Sequence, residues 1–351
     1  MKVIDLFSGA GGLSLGLKRA GFQMVACVEI KREAMETYAS HDADAIHFNT
    51  DIRAVDFNRF RSTVDLVTGG PPCQPFSIGG LRKASADTRD MIPEFIRCLQ
   101  EVQPAAFLME NVPGLMQKAA RPYFDSVISR LSACGYRLNW AVLNAADYGV
   151  PQKRRRLFLL GAKHIQLRFP APTHGSANGP SYLTSLDVLG HELIGEAPNC
   201  PVRYARGPDI RPSPYAGHLY NGGGRPIDPY GPCHTILASS GGYKTHWRDT
   251  ENVAPEYHAH LLQGGAPWEG FVPGARRLSV EECAIIQTFP RELRFAGKRS
   301  AQYMQVGDAV PPDLAFVIAR SIYFQLHGRT DALRFVEPAP DVGPIQGELA
   351  L

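Results

Sequence analysis

The amino-terminal part of the chain alternates short apolar runs with helical stretches, and this alternation limits the folds it can adopt. Residues 3–7 read as a buried strand, residues 8–12 as a glycine loop, and residues 13–20 as a helix with one apolar face. The pattern repeats over residues 24–40, and another strand is predicted over 64–68. Because strands that alternate with helices form a mostly parallel, doubly wound sheet, we predict an α/β fold.

The rest of the chain supplies further elements and a long irregular segment. The other predicted elements are strands over 105–109, 138–143 and 157–160 and helices over 91–102, 280–287 and 312–323. The last two helices could return to pack on the first sheet. From Ala171 to Trp268 the chain is rich in Pro, Gly, Tyr and Arg and shows little periodicity.

This texture, and a length of 351 residues, predict more than one domain, because a single hydrophobic core rarely grows that large. We expect a main domain over 1–170, a smaller loop-rich domain over 171–275, and a segment over 276–351 that returns to the main domain.

Composition excludes several classes of protein. No apolar run approaches the roughly 18 residues of a membrane span. The first residues do not resemble a signal peptide. Seven cysteines, an odd number without a C-x-x-C pair, argue against a disulfide framework and a zinc site. A cytoplasmic protein without a bound metal is expected. The net charge of +3 is too small to identify a polyanionic partner.

The glycine loop after the first strand has the features of a ligand site. Backbone amides and a helix amino terminus can hold a charged group there. The dinucleotide fingerprint G-x-G-x-x-G fails because Ser14 occupies the third glycine position, whereas Glu29 could accept from two ribose hydroxyls. An adenosine cofactor without a pyrophosphate fits this pattern. Alternatively, the glycines form only a tight turn and Glu29 is a helix cap.

The segment 69–77, with the sequence GGPPCQPFS, follows another predicted strand. Two prolines stiffen the chain and place Cys73 beyond the carboxyl end of that strand, where open α/β sheets bind ligands. A lone cysteine is more often an inert core residue. However, Glu110 ends the next strand and should emerge at the same edge of the sheet. A nucleophile and an acid would then share one pocket.

The charged run QKRRR over 152–156 leads into a strand. Alternation along a strand predicts that Gln152, Arg154 and Arg156 point one way while Lys153 and Arg155 point the other. Alternatively, this charged run forms a solvent-exposed surface or binds phosphate groups.

Taken in order, these segments resemble the motifs of bacterial DNA cytosine-5 methyltransferases. The motifs are DLFSGAGG (5–12), GPPCQPFS (70–77), ENV (110–112), QKRRR (152–156), RLSVEE (277–282), QTFP (287–290) and QVGDAVPP (305–312). The resemblance covers roughly residues 1 to 160 and 275 to 325. It implies a Rossmann-like fold that uses S-adenosylmethionine, with a target recognition domain over 171–275.

The resemblance also implies a reaction. The Cys73 thiolate would add to carbon 6 of a flipped-out cytosine, and carbon 5 would then take the methyl group. Glu110 would contact ring N3 and the exocyclic amine, Arg156 would hold O2, and Arg154 would support the pocket. The segment 74–89 is a candidate closing loop.

Binding residues follow from the same motifs. The expected cofactor contacts are Phe7, Gly9 and Gly11 for the methionine end, Glu29 for the ribose, and Asp51 with Ile52 for adenine. Further expected cofactor contacts are Gly12, Ile30, Pro72, Ile92, Asp308, Ala309 and Val310. The expected contacts to double-stranded DNA are Gln74, Ser77, Arg89, Arg203, Arg206, Arg225, Lys244 and Arg248. The resemblance further suggests a monomer and a separate cognate restriction endonuclease.

The chain departs from the family at Asp308, where asparagine is usual. A carboxylate there could oppose the carboxylate of the cofactor, and we expect it to be hydrogen-bonded and tolerated. Three alternatives remain. An amino-methyltransferase is disfavoured by Gly70 and Cys73, and a tRNA methyltransferase by the lack of Cys-Phe-Thr in the recognition region. A catalytically inactive DNA-binding regulator is disfavoured by the joint presence of Cys73, Glu110 and Arg156.

Overall fold

The computed structural model describes residues 1–72, 90–177, 179–216, 218–221, 223–330 and 333–336. The strands are β1 (Lys2–Leu6), β2 (Gln23–Val28), β3 (Ile46–Phe48), β4 (Leu66–Gly69), β5 (Ala106–Asn111), β6 (Arg137–Asn144), β7 (Gln152–Lys153), β8 (Arg155–Ala162), β9 (Arg203–Asp209), β10 (His218–Asn221), β11 (Cys233–His234), β12 (Trp247–Asp249) and β13 (Ala275–Arg277). The α-helices are α1 (Gly12–Arg19), α2 (Arg32–His41), α3 (Ile92–Val102), α4 (Arg121–Ala133), α5 (Ser185–Leu189), α6 (Val253–Leu262), α7 (Val280–Ile286), α8 (Arg299–Asp308) and α9 (Pro312–Leu326).

A seven-stranded sheet in the order β3-β2-β1-β4-β5-β8-β6 forms the centre of the fold. The five strands from β3 to β5 are parallel, and β8 runs antiparallel to both of its neighbours. This confirms the predicted doubly wound, mostly parallel sheet. The order reverses between β1 and β4, so their carboxyl ends border the crevice where such sheets bind ligands.

Both faces of the sheet are buried, which explains why its strands read as continuous apolar runs. Ile4, Val67 and Phe107 face the cluster that contains helices α3 and α4. Val3 and Leu66 face the cluster that contains α1 and α9. The expectation that the last helix returns to the first sheet is therefore confirmed. The sequence reading missed β3, α4 and α8, although Phe124, Val127 and Leu131 give α4 a helical spacing.

The strands of the predicted loop-rich segment are all short, and it also contains the helices α5 and α6. Strands β9 and β10 form one two-stranded ladder, and β12 pairs with β13 in another. Aromatic residues around Tyr204, Trp247 and Tyr257 form a separate hydrophobic cluster. Another cluster joins Ile236 of this segment to residues of α7 and α8. The boundaries at 170 and 275 stay a prediction. None of the helices in the described ranges is long and apolar enough to cross a membrane.

Candidate active site

A cavity of about 730 Å³ lies at the carboxyl edge of the parallel strands. The ends of β1, β2, β4 and β5 line it on one side, and helix α8 with the residues after it lines the other. The residues predicted from the sequence that line it are Phe7, Gly9, Gly12, Glu29, Ile30, Asp51, Ile52, Pro72, Glu110, Arg156, Asp308, Ala309 and Val310. The structure thus brings the first strands and residues 301–310 to one site.

The glycine loop begins where β1 ends. Phe7 and Gly9 both have positive φ angles, 56° and 54°, so the chain turns sharply one residue earlier than the predicted strand end. A Cβ at Gly9 would meet no protein atom within 4 Å, and Gly9 therefore leaves space at the cavity wall. Gly11 does not line the cavity, contrary to expectation. It precedes α1 with φ 86°, and a Cβ there would clash with His41 and Tyr38 behind the loop.

Glu29 is held at the end of β2 by backbone donors. Its carboxylate accepts from the amide of Gly9 at 2.9 Å and from the amide of Lys31 at 2.7 Å. The side chain is buried but lines the cavity. Each carboxylate oxygen can accept more than one hydrogen bond, so Glu29 both fixes the glycine loop and retains acceptor capacity for a ligand.

Asp51 and Ile52 lie on the wall beyond β3, but Arg53 engages the carboxylate of Asp51. The Arg53 guanidinium lies 2.5 Å from Asp51 Oδ2, and the Arg53 amide donates to Asp51 Oδ1 at 2.9 Å. These hydrogen bonds lower the pKa of Asp51 to about 2. Adenine would therefore have to share Asp51 with Arg53, which also lines the cavity.

Ile92 was predicted to contact the cofactor, but it is fully buried in the core. It is the first residue of the amphipathic helix α3, and its position on that helix faces the sheet. The neighbouring residue Met91 lines the cavity instead, and its amide donates to the carbonyl of Pro72 at 3.1 Å. The sequence-based prediction therefore chose the buried residue at the start of α3 and missed Met91, which borders the cavity.

Helix α8 contributes a cavity wall of which only Asp308 was predicted from the sequence. Ala301, Met304, Gln305 and Asp308 line the cavity. Their spacing of three and four residues is that of one helix face, and this spacing was the available signal. Lys31 reaches across from the end of β2, with its Nζ 3.5 Å from Asp308 Oδ2. The expectation that Asp308 has a polar partner agrees with this contact.

Glu110 and Arg156 face each other across the antiparallel pair β5 and β8. Arg156 Nε lies 3.1 Å from Glu110 Oε1, and both side chains are largely buried, with 17% and 12% exposed for Arg156 and Glu110. Burial raises the pKa of Glu110, and the nearby Arg156 and Arg154 guanidinium groups oppose that rise. A carboxyl group whose pKa is raised by burial holds a proton more readily than an exposed one, and it can then serve as a proton donor.

The alternation predicted for residues 152–156 matches the burial of these side chains. Gln152 and Arg154 are fully buried, whereas Lys153 and Arg155 are exposed. Arg154 does not line the cavity. Its guanidinium donates to the carbonyls of Ile236 and Gly307 at 3.2 and 2.8 Å. Arg154 is therefore a positioning residue, which agrees with a supporting role and not with direct contact.

Cys73 lies outside the described residues, but the residues that precede it are described. Pro72 lines the cavity, and the carbonyl of Pro71 accepts from the Asn111 amide side chain at 3.0 Å. A Cβ at Gly70 would lie 3.0 Å from Glu110 Oε2. The segment that leads into Cys73 is thus held beside Glu110.

The other six cysteines are described and free, and none of them lines the cavity. Burial raises the pKa of Cys27, Cys98, Cys233 and Cys283. A thiol with a raised pKa is a poor nucleophile because little thiolate forms. Within the described part of the chain, no cysteine competes with Cys73 for this role.

The residues predicted to bind DNA differ in exposure. Arg206 and Lys244 are exposed, and Arg203 lies over the ring of Phe271 at 4.1 Å. Arg225 donates to His218 at 3.2 Å. Arg248 pairs with the buried Glu282 at 3.2 Å and is 12% exposed, which argues against a direct DNA contact. Gln74, Ser77 and Arg89 lie outside the described residues.

A buried carboxyl group lies behind the glycine loop. Asp5 is fully buried, its Oδ2 accepts from Ser14 Oγ at 2.6 Å, and its Oδ1 has no partner. Burial raises the pKa of Asp5 to about 7, and the carboxylates of Glu29 and Asp42 add to the rise. The folded protein therefore binds a proton more tightly here than the unfolded chain does.

We expect this carboxyl group to make the protein less stable as pH rises from about 4 to about 7. The unfolded pKa is near 3.8 and the folded value about 7, so within this window the folded state holds more protons. Asp5→Asn should flatten the dependence and raise the melting temperature at pH 8. Thermal denaturation of both proteins between pH 5 and 8 measures this. If the melting temperatures of the two proteins changed equally with pH, this expectation would be contradicted.

Comparisons with known proteins agree with this geometry. The family model for C-5 cytosine-specific DNA methylases matches residues 1–183 and 237–323. The type II methyltransferase M.AplI of Arthrospira platensis is 32% identical over 93% of this chain and 87% of its own length. M1.HphI of Haemophilus parahaemolyticus is 34% identical over 91% of this chain and 86% of its own length.

Solved structures show the same fold. A DNA modification methyltransferase encoded within an E. coli prophage superposes with a TM-score of 0.67 at 24% identity, over 93% of this chain and 99% of that one. The Dnmt2 methyltransferase of S. pombe gives a TM-score of 0.68 at 18% identity, over 93% and 99%. The chain therefore belongs to the C-5 cytosine-specific DNA methylase family and is a methyltransferase.

Proposed function

We propose that this protein transfers a methyl group from S-adenosylmethionine to carbon 5 of a cytosine in a specific sequence of duplex DNA. The observation that carries the proposal is the Glu110–Arg156 pair, which shares one cavity with the glycine loop and with Pro72, the residue before Cys73. The carboxyl group of Glu110, the guanidinium of Arg156 and the residue before Cys73 therefore border one cavity that is large enough for a cofactor.

The cavity residues fit the proposed cofactor. The hydroxyl of Ser8, at the cavity wall, is buried without a hydrogen-bond partner. Gly9 leaves space beside it. Glu29 has acceptor capacity for ribose hydroxyls, while Ile30 and Ile52 offer apolar surface to a flat ring. When bound, the cofactor supplies an electrophilic methyl group.

The residues of the chain would act in the following order. The Cys73 thiolate forms a bond to carbon 6 of cytosine while Glu110 gives a proton to ring N3, which makes carbon 6 electrophilic. Carbon 5 then becomes nucleophilic and accepts the methyl group. A water molecule then takes the proton from carbon 5, the bond to carbon 6 breaks with release of the Cys73 thiolate, and the N3 proton returns to Glu110. Arg156 holds the ring O2 and keeps Glu110 in place through their ion pair.

We further propose that residues 171–275 recognise the DNA. The exposed cations Arg203, Arg206 and Lys244 would contact phosphates, and the exposed aromatic residues Tyr230 and Tyr243 could reach bases. Extruding the target cytosine costs a few kcal/mol of stacking and pairing. The type II names of the relatives support a separate cognate endonuclease, and we propose that this chain acts as a monomer in the cytoplasm.

Sequencing after bisulfite treatment tests the proposal and gives the target. The protein is expressed in a host without DNA methylation, and modified cytosines are mapped on its genome, with Cys73→Ser as control. We expect one short motif to be modified and the mark to disappear with the variant. A parallel assay with radiolabelled cofactor compares duplex DNA with tRNA. Absence of the mark, a mark that survives Cys73→Ser, or labelling of tRNA alone would overturn the proposal.

Asp308→Asn should change cofactor affinity only modestly. The Asp308 carboxylate is 57% exposed and pairs with Lys31, and exposed ion pairs contribute about 0–1 kcal/mol. We expect S-adenosylmethionine to bind the variant less than about tenfold more tightly, as measured by calorimetric titration. Lys31→Gln serves as the matched variant, because it leaves the carboxylate unpaired and should weaken binding. Tightening by Asp308→Asn beyond tenfold would show that the carboxylate repels the cofactor.

A further inference from the structure

Three buried polar side chains connect the loop-rich segment with the residues that close the cavity. Gln152, Arg154 and Gln287 are each fully buried, and we call them the buried bridge. They come from the charged run before β8 and from the end of α7. Buried polar groups of this kind are costly unless each has a fixed partner.

On one side, the bridge holds the backbone of residues 233–238, which we call the strap. Ile236 donates its amide to Gln152 Oε1 at 2.9 Å and accepts from Arg154 Nη1 at 3.2 Å. Strand β11 at the start of the strap pairs with β7. Both backbone polar groups of Ile236 therefore depend on the bridge. The strap belongs to the segment proposed to recognise DNA.

On the other side, the bridge holds the closing segment, residues 306–310. Arg154 Nη2 donates to the carbonyl of Gly307 at 2.8 Å. Gln152 donates to Gln287 Oε1 at 2.8 Å, and Gln287 in turn donates to the carbonyls of Val306 at 2.6 Å and Ala309 at 3.3 Å. Ala309 and Val310 line the cavity. One hydrogen-bonded unit therefore reaches from the strap to the cofactor wall.

The strap and the closing segment also touch directly. A Cβ at Gly307 would lie 2.3 Å from the carbonyl carbon of Leu237 and from the amide of Ala238. Only glycine permits this approach of two backbones. A shift of the strap therefore cannot leave the closing segment in place, because no space separates them.

The buried charge of Arg154 makes it costly to separate the strap from the closing segment. Burial lowers the pKa of its guanidinium, and Arg156 adds to this effect, whereas Glu110 and Asp308 oppose it. If either carbonyl partner moved away, a buried cationic group would lose a hydrogen bond that water cannot replace. The planar guanidinium fork contacts both carbonyls at once, which a single ammonium group cannot imitate.

We infer that Arg154, with Gln152 and Gln287, is a positioning residue that couples DNA binding by the segment that contains the strap to closure of the cofactor cavity. The inference rests on the proposed function of the two sites. Because such coupling is reciprocal, DNA should tighten cofactor binding by the same factor by which cofactor tightens DNA binding. The bridge thus favours a state in which both substrates are held.

Calorimetric titration tests the coupling with S-adenosylhomocysteine, the reaction product, as probe, in the absence and presence of an excess of unmethylated plasmid DNA. For the unaltered protein we expect DNA to tighten binding about fivefold or more. For Arg154→Lys we expect the effect to fall below about twofold, because one of the two carbonyls loses its donor. Thermal denaturation shows whether the variant is folded.

Arg277→Lys is the matched control. Arg277 is also buried, and it donates to the carbonyls of Cys200 and Thr245, neither of which belongs to the closing segment. This variant should lose stability but keep the coupling. Coupling that persists in folded Arg154→Lys overturns the inference and leaves the proposed function intact. Failure of the unaltered protein to bind the probe or DNA overturns the proposed function, and the inference with it.

A second measurement requires no variant. Amide hydrogen exchange of the unaltered protein is followed with and without S-adenosylhomocysteine, in the absence of DNA. We expect the probe to slow exchange in peptides that cover the strap, because the Ile236 amide is bonded to Gln152. If the probe binds and protects the glycine loop but leaves the strap unchanged, the inference is wrong even where Arg154→Lys does not fold.

Discussion

Glu110→Gln is expected to lower the rate of methyl transfer by about 10²- to 10⁴-fold, the contribution that a positioned general acid usually makes. Glutamine keeps the size of the side chain and can accept a hydrogen bond from Arg156, but it has no proton to give to ring N3. The variant also removes the negative charge 3.1 Å from Arg156 Nε and leaves that cation without its ion-pair partner. Single-turnover transfer from labelled cofactor to unmethylated plasmid DNA measures the rate.

Glu33→Gln is the matched control for this prediction. Glu33 also lines the cavity, but it lies on α2 and makes no ion pair with Arg156. Its rate should stay within about tenfold of the unaltered protein, a change of roughly 1.4 kcal/mol in barrier. Cofactor affinity should be similar in both variants. A Glu110→Gln protein that binds DNA and cofactor and transfers methyl groups at the normal rate would remove Glu110 from the mechanism.

Gly12→Ala is expected to weaken cofactor binding at least about tenfold and to destabilise the fold by about 1–3 kcal/mol, the usual cost of overpacking. An added Cβ would lie 2.2 Å from the carbonyl oxygen of Val310, so either the glycine loop or the closing segment must move. Alanine gains about 1 kcal/mol in helix propensity, which is too little to offset this clash. Gly12 and Val310 both line the cavity, so the movement must alter it. Calorimetry and thermal denaturation measure the two effects.

Gly16→Ala separates packing from binding. Its Cβ would lie 2.5 Å from the backbone nitrogen of Phe316, so it also forces α1 away from α9, but Gly16 does not line the cavity. Similar destabilisation is expected, with cofactor affinity changed by less than about threefold, or 0.6 kcal/mol. Equal losses of affinity in the two variants would show that the effect of Gly12→Ala is only general destabilisation.

Much of the fold follows from local sequence patterns. The strands that contain Ile4, Val67 and Phe107 are buried on both faces, so their apolar runs are long enough to recognise. Glycine and proline mark the loops between them. Helix α8 was missed because its exposed and buried residues are mostly polar or small, and its sequence contains Gly307 near the end. Its structure depends on tertiary contacts that a local pattern cannot show.

The candidate site could be predicted as a set of residues but not as a set of contacts. Cys73 and Glu110 were placed at one sheet edge because parallel strands end together, and Pro72 and Glu110 do line one cavity. Arg154 was expected beside the pocket, whereas its partners are the carbonyls of Ile236 and Gly307. Backbone carbonyls carry no sequence signature, so distant pairs of this kind are invisible until the chain is folded.

The contact between Gly12 and Val310 also has a consequence for biosynthesis. These residues are about 300 positions apart, and Val310 is followed by α9, which packs on α1. During translation the strands of the sheet emerge first, and the wall formed by α8 and the residues after it emerges more than 100 residues after β8, the last of them. Nascent chains therefore pass through a long period with α1 uncovered on its α9 face, which exposes Leu13 and Leu17 to chaperones and to aggregation. The cavity can be complete only after residues 301–310 have been synthesised.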